Sequence, residues 1–237
     1  MYHSVTFGDK NTYDDWHIVP SSRPLFAPPP VKTNYIDLPG SNGKLDLTDI
    51  LNGYPVYENR IGSMEFIVLN GYGEWQNRYS DICNYLHGKK MKAVLEDDPA
   101  WYYEGRFAVN EWRSEKDWSR IVIDYDVYPY KKEIIDSIEL WRWDPFNLET
   151  GVVREFNEIT VDGMVIVDVP GSTEMVAPMI TVDSSDGNGM DIIYNGISFH
   201  LYDGENKNPS LIISQTASKM IIHGYGKISI IYRGGSL

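Results

Sequence analysis

The stretch from Gly53 to Asp98 constrains this sequence most, because it joins a strand, a helix and a second strand with hardly any linker. After Gly53-Tyr54-Pro55-Val56-Tyr57-Glu58-Asn59-Arg60, the residues Met64, Phe66 and Val68 alternate with Ser63, Glu65 and Ile67. A period of two is that of a strand with one face on a core. Asn70-Gly71-Tyr72-Gly73 breaks it. Trp75, Tyr79, Ile82, Cys83 and Leu86 then recur at helical spacing, opposite Glu74, Gln76, Asn77 and Asp81, which predicts an amphipathic helix over about residues 74–87. His87-Gly88 stops it: Gly88 suits a left-handed cap, and Lys89 and Lys90 suit the negative helix end. Met91, Ala93 and Leu95 alternate again before the turn Glu96-Asp97-Asp98-Pro99. The unit reads as one helix laid on a sheet.

The rest of the chain is β in pattern. Val5 and Phe7, a turn at Gly8-Asp9-Lys10-Asn11, then Trp16 and Ile18 read as a hairpin. Pro20, Pro24, Pro28, Pro29 and Pro30 hold the next stretch extended. It packs on its own domain as a surface arm or lies across a neighbouring subunit, with Pro24, Leu25, Phe26, Pro28, Pro29 and Pro30 as the contact residues. Thr33–Leu38 is a strand and Pro39–Gly43 a turn, and Thr48 or Asp49 caps a short helical turn. Tyr103, Phe107 and Val109 share one strand face, and Ile121, Ile123, Tyr125 and Val127 share another, the two strands pairing through Arg113–Asp117. Composition shifts at Tyr128–Glu133, which divides the chain into domains 1–133 and 134–237. Beyond it, short β-runs alternate with turns at Asp162-Gly163, Asp186–Gly189, Asn195-Gly196 and Asp203-Gly204, the spacing of a β-sandwich.

Composition narrows the function. With 42% hydrophobic and 23% charged residues, the 237-residue chain has enough apolar material for a real core. No apolar run is long enough for a membrane helix, and the N-terminus lacks the pattern of a signal peptide. A net charge of −13 lacks the cations that grip phosphate backbones. The lone Cys83 falls on the apolar helix stripe and reads as a small core residue.

Motifs for chemistry are missing. Gly88-Lys89-Lys90 has no Ser or Thr after it and no glycine at position 83, so no phosphate loop is formed. His223-Gly224-Tyr225-Gly226 lacks the third glycine of a dinucleotide fingerprint and reads as a turn. His3, His17, His87, His200 and His223 are dispersed, which leaves no metal pair, and the run Asp183–Asp191 lacks the closing Glu of a calcium loop. No catalytic residue, cofactor or metal ligand is expected, and no enzyme. Exposed aromatic rings stack on sugars, so Trp141, Trp143, Tyr194, Tyr202 and Tyr225 are the candidate carbohydrate contacts, against the alternatives of core packing or a subunit contact.

Several segments resemble one family. They are Val5–Thr12 with Trp16 and Pro20, Asp46-Leu47-Thr48, Gly53–Arg60, Leu86-His87-Gly88-Lys89, Leu95–Pro99 with Tyr102–Arg106, and Tyr232–Leu237. In this order they resemble the distal tail (Dit) proteins of long, non-contractile-tailed phages and prophages of Gram-positive bacteria. The resemblance is close to about residue 128, weaker beyond, and renewed at the C-terminus. It implies a mostly β chain: a tail-tube-like β-sandwich or split barrel with one helix, then a galectin-like β-sandwich. It further implies a virion structural protein at the distal end of the tail, made in the host cytoplasm. Such a protein forms a baseplate hub ring, typically a hexamer, between the tail tube protein and the tail-associated lysin or tip protein and receptor-binding proteins. DNA passes the bore without specific binding, and Glu96, Asp97, Asp98, Asp124 and Asp126 are the candidates to face it. The alternative is a hub whose second domain also binds host wall carbohydrate during attachment.

Overall fold

The computed structural model describes residues 2–50, 53–68, 75–114, 119–139 and 154–237. The chain is mostly β with one helix, and its two large sheets curl into half-barrels. One compact unit spans Met1–Lys131 and another Lys132–Ser236.

In the first unit the elements are β1 (Val5–Phe7), β2 (Lys10–Asn11), β3 (Ile18–Pro20), β4 (Tyr35–Asp37), β5 (Lys44–Asp46), β6 (Arg60–Val68), α1 (Trp75–Leu86), β7 (Lys89–Leu95), β8 (Trp101–Ser114) and β9 (Ser119–Val127). The main sheet runs β2-β1-β7-β8-β9-β6-β3, while β4 and β5 pair only with each other. The expected hairpin between Val5–Phe7 and Trp16–Ile18 is corrected. β1 turns back onto β2, and β3 pairs with β6 at the far edge. Thr12 explains the detour: its N–H donates to Val5 O at 2.9 Å, its hydroxyl accepts from Val5 N at 3.0 Å, and its carbonyl accepts from Ile18 N at 2.8 Å. The two edges of the curled sheet thus meet at one buried threonine.

The helix forms where its stripe predicts, and Ile82 and Leu86 are buried among Phe7, Phe66, Phe107 and Ile121. Tyr79 and Trp75 lie 4.8 and 5.5 Å from the Trp112 ring of β8. Cys83 is partly buried against the same core. At the helix end Gly88 takes φ +74°, its N–H donates to Phe107 O at 2.7 Å, and Lys89 Nζ donates to Asn84 O at 2.7 Å. This is the cap and cation that the negative helix end favours. The predicted break at Asn70–Gly73 and the helix's Glu74 lie outside the described residues.

β10 (Lys131–Glu133) runs across the boundary, and the second unit then holds β11 (Ile159–Val169), β12 (Met179–Ser184), β13 (Met190–Tyr194), β14 (Ile197–Leu201), β15 (Gly204–Lys207), β16 (Ser218–Ile231) and β17 (Gly235–Ser236). β16 is its axis. One edge pairs along its length with β11; the other is shared between β13, opposite Met220–His223, and β12, opposite Gly226–Ile231. Two expected turns therefore become strand. Asp162-Gly163 lies inside β11, and His223–Gly226 inside β16. Gly163, Gly224 and Gly226 take φ of +81°, +147° and +134°, so the paired strands bend there instead of reversing. A single sheet thereby puts Val161 and Ile228 from one end, and Val167 and Ile222 from the other, into one core. The Asn195-Gly196 turn is as read: both residues have positive φ and close the β13–β14 hairpin.

Candidate interaction surfaces

The acidic turn after β7 is committed within the chain. Glu96 accepts from Ser4 N at 2.7 Å, Asp97 accepts from Arg23 Nε at 2.7 Å and pairs with His3 at 2.9 Å, and Asp98 pairs with Lys131 at 2.6 Å. His3 and Arg23 hold the Asp97 carboxyl below the usual carboxylate range, the His3 hydrogen bond acting most strongly. Glu96 and Asp97 thus clasp the N-terminal segment, and Asp98 holds Lys131. Asp124 and Asp126 differ. Both point off the outer face of β9, away from buried Ile123, Tyr125 and Val127, and Asp126 accepts from Asn59 Nδ2 at 2.7 Å.

Part of the proline-rich stretch packs on its own unit. Phe26 is only 7% exposed, with ring centroids 4.0 Å from Tyr103 and 4.8 Å from Tyr125, and Pro24 is buried; Leu25, Pro28 and Pro30 stay exposed. The residues that follow project instead. Lys32 N donates to Val56 O and Glu58 N to Pro30 O, both at 2.8 Å, which pins the base of a hairpin. Beyond that base β4 and β5 expose every residue, among them Tyr35, Ile36 and Leu45, with Leu38 and Ile50 exposed nearby. A two-stranded hairpin with uncovered apolar side chains is marginal in water by itself. This surface calls for a partner.

Sequence reading missed Arg60. It is 4% exposed, its Nε donates to Pro129 O at 2.7 Å and its Nη1 to Ala27 O at 3.0 Å, and its guanidinium lies 5.5 Å from the Tyr103 ring centroid. Tyr125 Oη accepts from Ala27 N at 2.8 Å, so both backbone groups of Ala27 are held where the projecting segment begins. A signal was present: Arg60 shares the parity of Met64, Phe66 and Val68, the inward side of β6.

Of the candidate carbohydrate contacts, Trp141 and Trp143 lie outside the described residues. Tyr194 is corrected: it is 2% exposed, because it shares the inward parity of Met190 and Ile192 and packs in the core. Tyr202 and Tyr225 stand 71% and 55% exposed. Among the described residues no group of three His, Cys, Asp or Glu stands ready for a metal ion, and no helix is long and apolar enough to cross a membrane.

These features define a class: a mostly β protein of two compact units, with a projecting apolar hairpin on the first and an aromatic outer face on the second. The structure matches that of the SPP1 Dit (gp 19.1) protein, described as a paradigm of the hub adsorption apparatus in phages infecting Gram-positive bacteria. The TM-score is 0.64 with 10% identity, over 100% of both chains. At that identity the likeness establishes a shared fold. No family model and no curated protein matches the sequence.

Proposed function

We propose that this protein is a structural subunit of a phage tail hub, and not an enzyme. The observation that carries this is the end-to-end match of the chain to a hub adsorption protein. Copies close into a ring, a hexamer in the family it resembles, at the distal end of the tail. The ring joins the tail tube to the tail-associated lysin or tip protein and to receptor-binding proteins, and leaves a bore for DNA. A ring forms when one heterologous contact repeats about an axis. The β4–β5 hairpin supports such a contact, because no described residue of its own chain covers its apolar side chains, and exposed Leu25, Pro28 and Pro30 extend the same contact at its root. Asp124 and Asp126 face the bore and repel phosphates. Galectin-like describes the second unit's architecture in this reading, and its outer face also binds host wall carbohydrate, a reading favoured by the exposure of Tyr202 and Tyr225.

Light scattering of the purified chain, with negative-stain images of the same sample, tests the hub. Closed rings, alone or stacked, are expected. Replacing residues 33–47 with a short Gly-Ser link is expected to leave monomers; intact rings from that variant would place the subunit contact elsewhere.

A further inference from the structure

β11 has 11 residues, and among the described residues its one ladder is with β16. The other edges of this sheet, β14 and β15, have 5 and 4 residues. Edge strands are usually short or carry proline or lysine, because a row of unpaired N–H and C=O groups recruits another strand. β11 has no proline and no cation. The register shows which of its backbone groups are open. It runs from Ile159 opposite Ile228 to Val169 opposite Ser218 without a shift, so the bonding direction alternates along both strands. Ile230 N donates to Phe156 O at 3.0 Å, in the segment leading into β11, whereas Tyr225 O accepts from Ser185 N at 2.8 Å, just past β12. Even-numbered residues of β16 therefore bond toward β11. Their partners are the odd-numbered residues of β11, which leaves Thr160, Asp162, Met164, Ile166 and Asp168 with N–H and C=O aimed at the open edge. Among the described residues, these five backbones have no partner there.

The side chains of the same five residues are exposed on the outer face. Met164 and Ile166 are 56% and 50% exposed, and Ile166 begins an apolar row that continues through Ile221 of β16 to Ile193 of β13. On the inner face Val165 is only half-buried at mid-strand, because the core stops at this edge. Asp162 and Asp168 flank the apolar pair. Lys219 Nζ lies 3.8 Å from the Asp168 carboxylate, and a pair so exposed binds it weakly.

We infer that the open edge of β11 accepts a strand from another protein: an extended segment with two apolar β-branched side chains at alternate positions and Lys or Arg at the next alternate position on each side. The backbones of the five residues supply the ladder, the apolar pair covers Met164 and Ile166, and the cations face Asp162 and Asp168. Charge argues against a second copy of this chain as the donor. In an antiparallel β11–β11 pair, the register that sets Met164 opposite Ile166 also sets Asp162 opposite Asp168 at both ends, and like charges so placed repel. A basic segment also suits a chain of net charge −13. The edge lies within one unit, so the inference does not depend on ring formation.

The test follows residue-resolved amide exchange in the full-length protein, alone and with a synthetic peptide as long as β11. The peptide carries Val and Ile at alternate positions, Lys at the next alternate position on each side, and Thr elsewhere. In the free protein the amides of Asp162, Met164, Ile166 and Asp168 are expected to exchange fast, and those of Val161, Val165 and Val167 slowly. Saturating peptide is expected to protect the first set. Glu in place of the peptide's Lys is expected to weaken binding about tenfold or more. Methylating the backbone nitrogens of its Val and Ile, which face β11, is expected to abolish binding, while methylating those of the intervening Thr leaves it intact. Ile166→Lys is expected to weaken binding to a similar extent with unchanged circular dichroism, since the side chain it replaces is exposed. First-set amides already protected in the free protein, no saturable binding, equal effects of the two methylations, or an Ile166→Lys variant that binds like the parent would each overturn the site. Ring mass on the same samples separates the readings: rings that bind no peptide overturn the open edge and leave the hub standing.

Discussion

Among the described residues Arg60 is a buried cation without a carboxylate partner, held by the Ala27 and Pro129 carbonyls, and its Nη2 has no hydrogen-bond partner there. Burial lowers its pKa, as desolvation must for a cation. Arg60→Met strands two carbonyls but also removes a desolvated charge. The first effect is expected to dominate, with a loss of about 2 kcal/mol in urea denaturation; a variant as stable as the parent would mean that desolvation of the guanidinium wins. Asp97 offers a pH test. Its folded pKa is depressed, so its contribution is complete above the unfolded carboxylate pKa of about 3.9 and disappears as pH falls through the lower folded value. Asp97→Asn is therefore expected to lower stability at pH 7 and to match the parent near pH 2. Equal losses at both pH values would assign the effect to geometry instead of charge.

Among the elements, α1 was legible because five apolar residues at helical spacing and a Gly88 stop agree, and the β13–β14 hairpin because Asn195-Gly196 is a strong turn pair. β11 and β16 were read as broken, since glycine in a strand and glycine in a turn look alike until φ is known. Gly226 shows the difference: a Cβ there would sit 2.2 Å from Asp183 O and 2.9 Å from Ser184 Cα, both backbone. Gly226→Ala is expected to cost roughly 3 kcal/mol or more. Gly40→Ala, in the open turn of the β4–β5 hairpin, meets no neighbouring atom and bears only the strain of φ +81°, about 1 kcal/mol. Thermal unfolding of the two variants compares them directly; equal shifts would contradict the packing of β16 against β12.

For the whole molecule, the projecting hairpin makes self-association the property to measure. If apolar cover drives it, Ile36→Asp with Leu45→Asp, opposed in the β4–β5 register, should shift rings to monomers in light scattering, while the circular dichroism of the main sheets stays unchanged. Rings that survive both charges would relocate the contact. Sequence alone determined what local physics controls: strand and helix periods, the parity that turns Ile121, Ile123 and Tyr125 inward, the change of composition near residue 128, and the order of segments that resemble a tail hub protein. Only the tertiary structure decided which strands pair. Period two says which face of a strand is buried but not whose edge it joins, so β3 could go to β6 and not β1 without any change in its pattern. It also decided which aromatic rings face water. Tyr194 and Tyr202 carry the same chemistry, but Tyr194 sits on the inward face of β13 and is 2% exposed, while Tyr202 lies just past the end of β14 and is 71% exposed.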